Sequence, residues 1–146
     1  MQTLLNRLLL LGALLGLSLG AFGADQDNAV EKVLYHINDS TVARAALGNI
    51  RNHLEATGGK VKIVVVTHGP GVDFLLEGAQ DKNGNPYDIN VEELSDKGVE
   101  FRVCNNTLKA RKIDPSLVLP NARIVPSGVA EIGRLQAREG YVYLKP

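Results

Sequence analysis

The chain has 146 residues but no tryptophan, one methionine and one cysteine, and aromatic side chains make up only 5% of it. A single cysteine excludes an internal disulfide framework, so Cys104 is packed and inert, paired between chains, or a reactive thiol. Excess charge is missing as well, since 16 Lys and Arg balance 16 Asp and Glu. That balance leaves no basic footprint, and no nucleic-acid partner is expected. The longest apolar stretch, Leu8–Leu19, falls short of the roughly 20 residues a membrane span needs, and four glycines occur by Gly23.

What is present at the N-terminus reads as an export signal. Arg7 precedes the apolar run, and the small residues Ala21, Gly23 and Ala24 follow it. Cleavage near Gly23 removes residues 1–23 and leaves one domain, residues 24–146, periplasmic or secreted and no longer associated with membrane. An uncleaved anchor is the alternative. A lipoprotein signal is excluded because no cysteine stands at the cleavage site.

The remaining sequence alternates between strand and helix patterns. Glu31–Asn38 is rich in β-branched and aromatic residues, and Asp39 or Ser40 can cap a helix over Thr41–Ala56 that stops at Gly58-Gly59. Val61–His68 (VKIVVVTH) is a near-continuous apolar run, expected of a central strand buried on both faces. Pro70 and Gly71 open a short helix through Ala79, and Ile89–Lys97 forms another. Strands follow at Val99–Cys104, Ala122–Val125 and Tyr141–Leu144, with helices over Asn105–Lys112 and Ser127–Glu139. The pattern implies a three-layer α/β/α domain with a mostly parallel five-stranded sheet.

In such sheets functional groups gather beyond the carboxyl ends of the strands. His36, His68-Gly69-Pro70-Gly71, Cys104-Asn105-Asn106 and Ser127 all fall there, which puts two of the three histidines and the sole cysteine on one rim. Cys104 stands where a strand passes into a helix, near free N–H groups and the positive end of the helix dipole, both of which favour thiolate. Lys109, Arg111 and Lys112 add positive charge nearby in sequence. His68 could orient or deprotonate the thiol, and His36 and His68 could instead complete a copper or zinc site with it. Their spacing is not diagnostic of a metal, and no cofactor is expected. Asn105 and Asn106 read as helix caps, Ser127 as the cap of the last helix, and His53 as a surface residue. Gly69-Pro70-Gly71 reads as a tight turn, because Phe74 replaces the third glycine of a dinucleotide fingerprint. Ser127 lacks an esterase elbow because Val125 stands where that motif needs glycine.

The segments VLYHIN, VVVTHGPGV, GVEFRVCNNTL and VPSGVAEIGRLQAREGYVYLKP, in this order and spacing, resemble the DsrE/DsrF-like family of small α/β domains. The resemblance implies that Cys104 takes the position at which sulfur-relay members carry a persulfide. It also implies a trimeric or hexameric homo-oligomer that exchanges sulfur with a donor or acceptor protein or a small thiol. Two features depart from the relay pattern: the export signal, and Asn105-Asn106-Thr107 where small apolar residues follow the cysteine. Cys104, by position and by the resemblance, and His68, by position, are the catalytic candidates, with His36, Gly69, Gly71, Asn105, Asn106, Lys109 and Ser127 as binding candidates from their place on the rim or near the cysteine in sequence. Against the sulfur carrier stand a non-catalytic binding module with Cys104 packed, and a Cys/His metal-binding protein.

Overall fold

The computed structural model describes residues 30–146, and the signal expected over residues 1–23 lies outside them. Five strands, β1 (Glu31–Ile37), β2 (Val61–Thr67), β3 (Glu100–Cys104), β4 (Ala122–Val125) and β5 (Val142–Leu144), form one sheet in the order β4-β3-β2-β1-β5. Every pairing is parallel, so the sheet expected to be mostly parallel is wholly so. Four helices connect it: α1 (Ala43–Ala56), α2 (Asp88–Asp96), α3 (Asn105–Arg111) and α4 (Gly128–Glu139).

Strand parity sorts the side chains onto two unequal faces. Val33, Tyr35, Ile37, Ile63, Val65, Phe101 and Val103 pack under Ala46, Leu47 and Ile50 of α1, Val91 and Leu94 of α2, and Leu108 of α3. The opposite face carries a smaller cluster, Leu34, Val64 and Val66 against Leu135 and Tyr141, with α4 as its helical cover. The valine run of β2 serves both faces, as its central place requires.

Beside the apolar cluster under α4 lies a buried ion pair. Arg102, only 5% exposed, binds Glu131 of α4 through Nη1 and Glu100 through Nη2 at 2.6 Å. Arg134 holds the other side of Glu131, with Nε 2.9 Å from Oε2. A buried guanidinium is tolerable because carboxylates meet both of its terminal nitrogens, so removing either partner leaves an uncompensated charge.

The helix expected from Pro70 to Ala79 is instead a 3-10 helix over Gly69–Leu75. Leu76 leaves it in extended conformation and bridges Val118, which pulls the chain out of helical geometry. The turn packs tightly on the end of β1, and a Cβ at Gly71 would lie 2.1 Å from the backbone oxygen of Ile37 and 2.7 Å from the Cα of Asn38. Backbone cannot yield as a flexible side chain would. Gly71→Ala is therefore expected to cost about 1–3 kcal/mol, in the range of overpacked sites. Urea unfolding would read this as a lowered midpoint, and an unchanged midpoint would refute the close packing.

Candidate functional site around Cys104

Cys104 ends β3 and is itself the N-cap of α3 in extended conformation. Asn105 and Asn106, expected as caps, are instead the first residues of the helix, and no side chain caps it. Ser127 does cap α4, its Oγ accepting from the Ala130 N–H at 3.3 Å. The two helix starts meet at Cys104. A Cβ at Gly128 would stand 3.1 Å from the Cβ of Cys104 and 3.3 Å from the Cβ of His68, so glycine is what lets α4 begin against both.

The electrostatics follow from that meeting. Burial pushes the Cys104 thiol up, but it is outweighed by the Gly128 N–H, the Thr107 hydroxyl and the N–H groups of Thr107 and Asn106. The net effect lowers the thiol below its ordinary value, as hydrogen bonds to an anion do. Thr107 is held for this task, because its Oγ1 accepts from the Gly69 N–H at 2.9 Å and its own proton is left for the sulfur. Gly69 thus has a defined role, and its φ of 55° suits glycine.

Lys109 and Arg111 are not among the groups that lower the thiol. Lys109 is exposed in the last turn of α3, away from the helix start. Arg111 pairs with Asp73 at 2.6 Å and with the Gly69 carbonyl at 3.2 Å. The sulfur is barely open to solvent, and Cys104 as a whole is 4% exposed.

The two rim histidines pair with each other. His36 Nε2 is 2.7 Å from His68 Nε2, and His36 Nδ1 is 2.6 Å from the Tyr143 hydroxyl of β5. Burial, then the nearby His68 and Lys145, lower His36 to about 4, which keeps it neutral near pH 7. A separation of 2.7 Å suits a shared proton. Among the described residues no group of three or more His, Cys, Asp or Glu side chains is placed to hold a metal ion. His53, expected on the surface, is partly buried and pairs with the Tyr35 hydroxyl at 3.0 Å. A cavity of about 730 Å³ between Ser40, Arg44, Phe74, Asp81 and Tyr87 contains none of these residues apart from the neighbouring turn. Of its acidic groups, Asp81 and Asp73 are paired with Arg44 and Arg111, and Glu77 is the third.

An all-parallel α/β domain with a buried thiol at a strand-to-helix junction defines a class, the small cysteine-bearing α/β proteins. The chain belongs to the DsrE/DsrF-like family, whose model matches residues 31–146. It is similar to MTH1491 of Methanobacterium thermoautotrophicum, a protein of unknown function, with 32% identity and a TM-score of 0.70 over 80% of this chain and 99% of that one. The ychN protein of E. coli shares the fold at 13% identity, with a TM-score of 0.62 over 80% of this chain and 99% of its own. BT1422 of Bacteroides thetaiotaomicron shares it at 16% identity, with a TM-score of 0.58 over 85% of this chain and all of its own. No curated protein matches the chain.

Four contributors were not singled out from the sequence: Thr107, Gly128, Tyr143 and the Arg102–Glu131 pair. An arginine inside the apolar strand Val99–Cys104 was the available signal for the pair. Thr107→Val removes the hydroxyl and keeps the shape. The inflection in the rate–pH curve for Cys104 alkylation is expected to rise by about one pH unit. An unmoved inflection would remove Thr107 from the site.

Proposed function

We propose that this protein carries sulfane sulfur as a persulfide on Cys104 after export from the cytoplasm, passing it between a donor and an acceptor protein or small thiol. Membership in the DsrE/DsrF-like family supports sulfur-relay chemistry in general. The observation that supports placing it on Cys104 is the seat of this residue at the N-cap of α3 and against the first residue of α4, where the N–H groups of Gly128, Thr107 and Asn106 and the Thr107 hydroxyl lower the thiol. Such donors favour the thiolate that attacks a sulfane sulfur, and they equally suit the persulfide anion that results. Limited exposure of the site suits a carrier, because it slows oxidation of the thiol in an oxidising compartment.

The binding-module reading has one specific observation in its favour, which is the same 4% exposure of Cys104. Brief treatment with polysulfide distinguishes the two. Intact mass of the native protein is expected to rise in steps of one sulfur atom, and Cys104→Ser to abolish the rise. Native protein that resists both polysulfide and a small alkylating reagent, while denatured protein reacts at once, would make Cys104 a core residue.

The exported form is proposed to begin near Ala24 and to assemble as a trimer or hexamer. Exposed Val142 and Leu144 on the edge strand β5 supply apolar surface for assembly. N-terminal sequencing of the exported fraction should start close to Ala24, and light scattering should give three or six times the protomer mass. Met1 in a membrane fraction, or a monomer at micromolar concentration, would contradict these two points respectively.

A further inference from the structure

The closing segment GYVYLKP lies on the far side of β1 from the thiol, yet its Tyr143 touches the rim through His36. We infer that Tyr143 and His36 are positioning residues for His68, making available the tautomer with a bare Nδ1, so that His68 takes the Cys104 proton and passes it outward along the row. This rests on the persulfide reading of Cys104.

The geometry starts from strand parity. His36 of β1, His68 just beyond β2 and Cys104 of β3 stand on the face covered by α4, on three adjacent strands. The register pairs Thr67 with Val103, so His68 and Cys104 are the next neighbours across the sheet, and Gly128 packs against both. Nε2 of His68 is engaged by His36 at 2.7 Å. Only Nδ1 of that ring is then left for a partner on the other side.

The hydrogen bonds permit two proton arrangements. In one, the Tyr143 hydroxyl donates to His36 Nδ1, and His36 Nε2–H donates to His68 Nε2. A neutral His68 must then carry its proton on Nδ1 and cannot act as a base there. In the other, His68 Nε2–H donates to His36 Nε2, and His36 Nδ1–H donates to the Tyr143 oxygen. His68 Nδ1 is then bare. The second arrangement needs an acceptor at the end of the row, and the Tyr143 oxygen is that acceptor. The charged and titratable groups facing His36 are His68, Tyr143 and Lys145, and burial, then His68 and Lys145, keep it neutral, as the row requires.

In the sulfur-loading step His68 Nδ1 takes the thiol proton, and the Cys104 thiolate attacks the outer sulfur of a hydrogen disulfide anion. A sulfur–sulfur bond forms to Cys104, the donor's sulfur–sulfur bond breaks, and its electron pair leaves with hydrosulfide. Sulfane sulfur is transferred without an added oxidant. The proton passes from His68 Nε2 to His36 Nε2, from His36 Nδ1 to the Tyr143 oxygen, and from the Tyr143 hydroxyl to water at the 37% exposed ring.

The test is the rate of Cys104 alkylation by iodoacetamide in the full exported chain, since any electrophile reports the same proton. His68→Gln should slow it about tenfold at pH 6, where the thiol needs a base, and leave it within about twofold at pH 9.5, where thiolate is already present. His36→Gln and Tyr143→Phe should show the same pH-selective loss at about three- to tenfold. The double variant His36→Gln/His68→Gln should be no slower than His68→Gln, because His36 acts only through His68. Tyr143→Phe keeps the ring, so the ¹⁵N shift of His68 Nδ1 should move from the bare to the protonated range without loss of fold. Equal slowing at both pH values, no slowing, or multiplicative losses in the double variant would overturn the relay. Failure of wild-type protein to take up sulfur from polysulfide would instead overturn the persulfide reading, so the two failures are distinguishable.

Discussion

Two helices begin at one sulfur atom, and much of the chain serves to keep them there. A cysteine at the N-cap of α3 stands beside the N–H groups of Asn106 and Thr107, which have no carbonyl partner in the first turn and lower the thiol. The third N–H belongs to Gly128, the first residue of a different helix about two dozen positions later. A sulfur held by one helix would gain a modest dipole effect. Donors from two elements demand that both be held in place.

The buried ion pair provides that fixation. Arg102 and Cys104 are two apart on β3 and so share a face, while Glu131 and Gly128 are three apart on α4 and so share a side. The same strand and helix therefore touch twice, once through Arg102 and Glu131 and once through Cys104 and Gly128. Pairing at the first contact sets the approach at the second. Glycine at 128 sets the limit of that approach, since any Cβ would press on Cys104, His68 and the Thr67 carbonyl together.

Much of this was legible in the sequence because strand parity and helix starts are local properties. VKIVVVTH announces a two-faced central strand, and the residues after it, with His36, Cys104 and Ser127, fall on the carboxyl rim as parallel topology requires. The site's remaining contributors depend on which elements become neighbours, which local pattern does not reveal. Thr107 acts through Gly69 of another turn, and Tyr143 reaches His36 because β5 adds beside β1. Pro70 was read as a helix start, but the bridge between Leu76 and Val118 ends the turn early. Lys109 and Arg111 looked close to the thiol along the chain, yet one is exposed in the last turn of its helix and the other is committed to Asp73.

The central claim is that Cys104 is held as a stabilised anion in the folded chain. Thiolate absorbs near 240 nm, so a pH titration of native protein with Cys104→Ser as the blank reads it without any reagent reaching the site. The expected midpoint lies clearly below the roughly 8.5 of a free cysteine, returning to that value on unfolding. A native midpoint at or above 8.5 would contradict the account, because burial would then outweigh every donor converging on the sulfur.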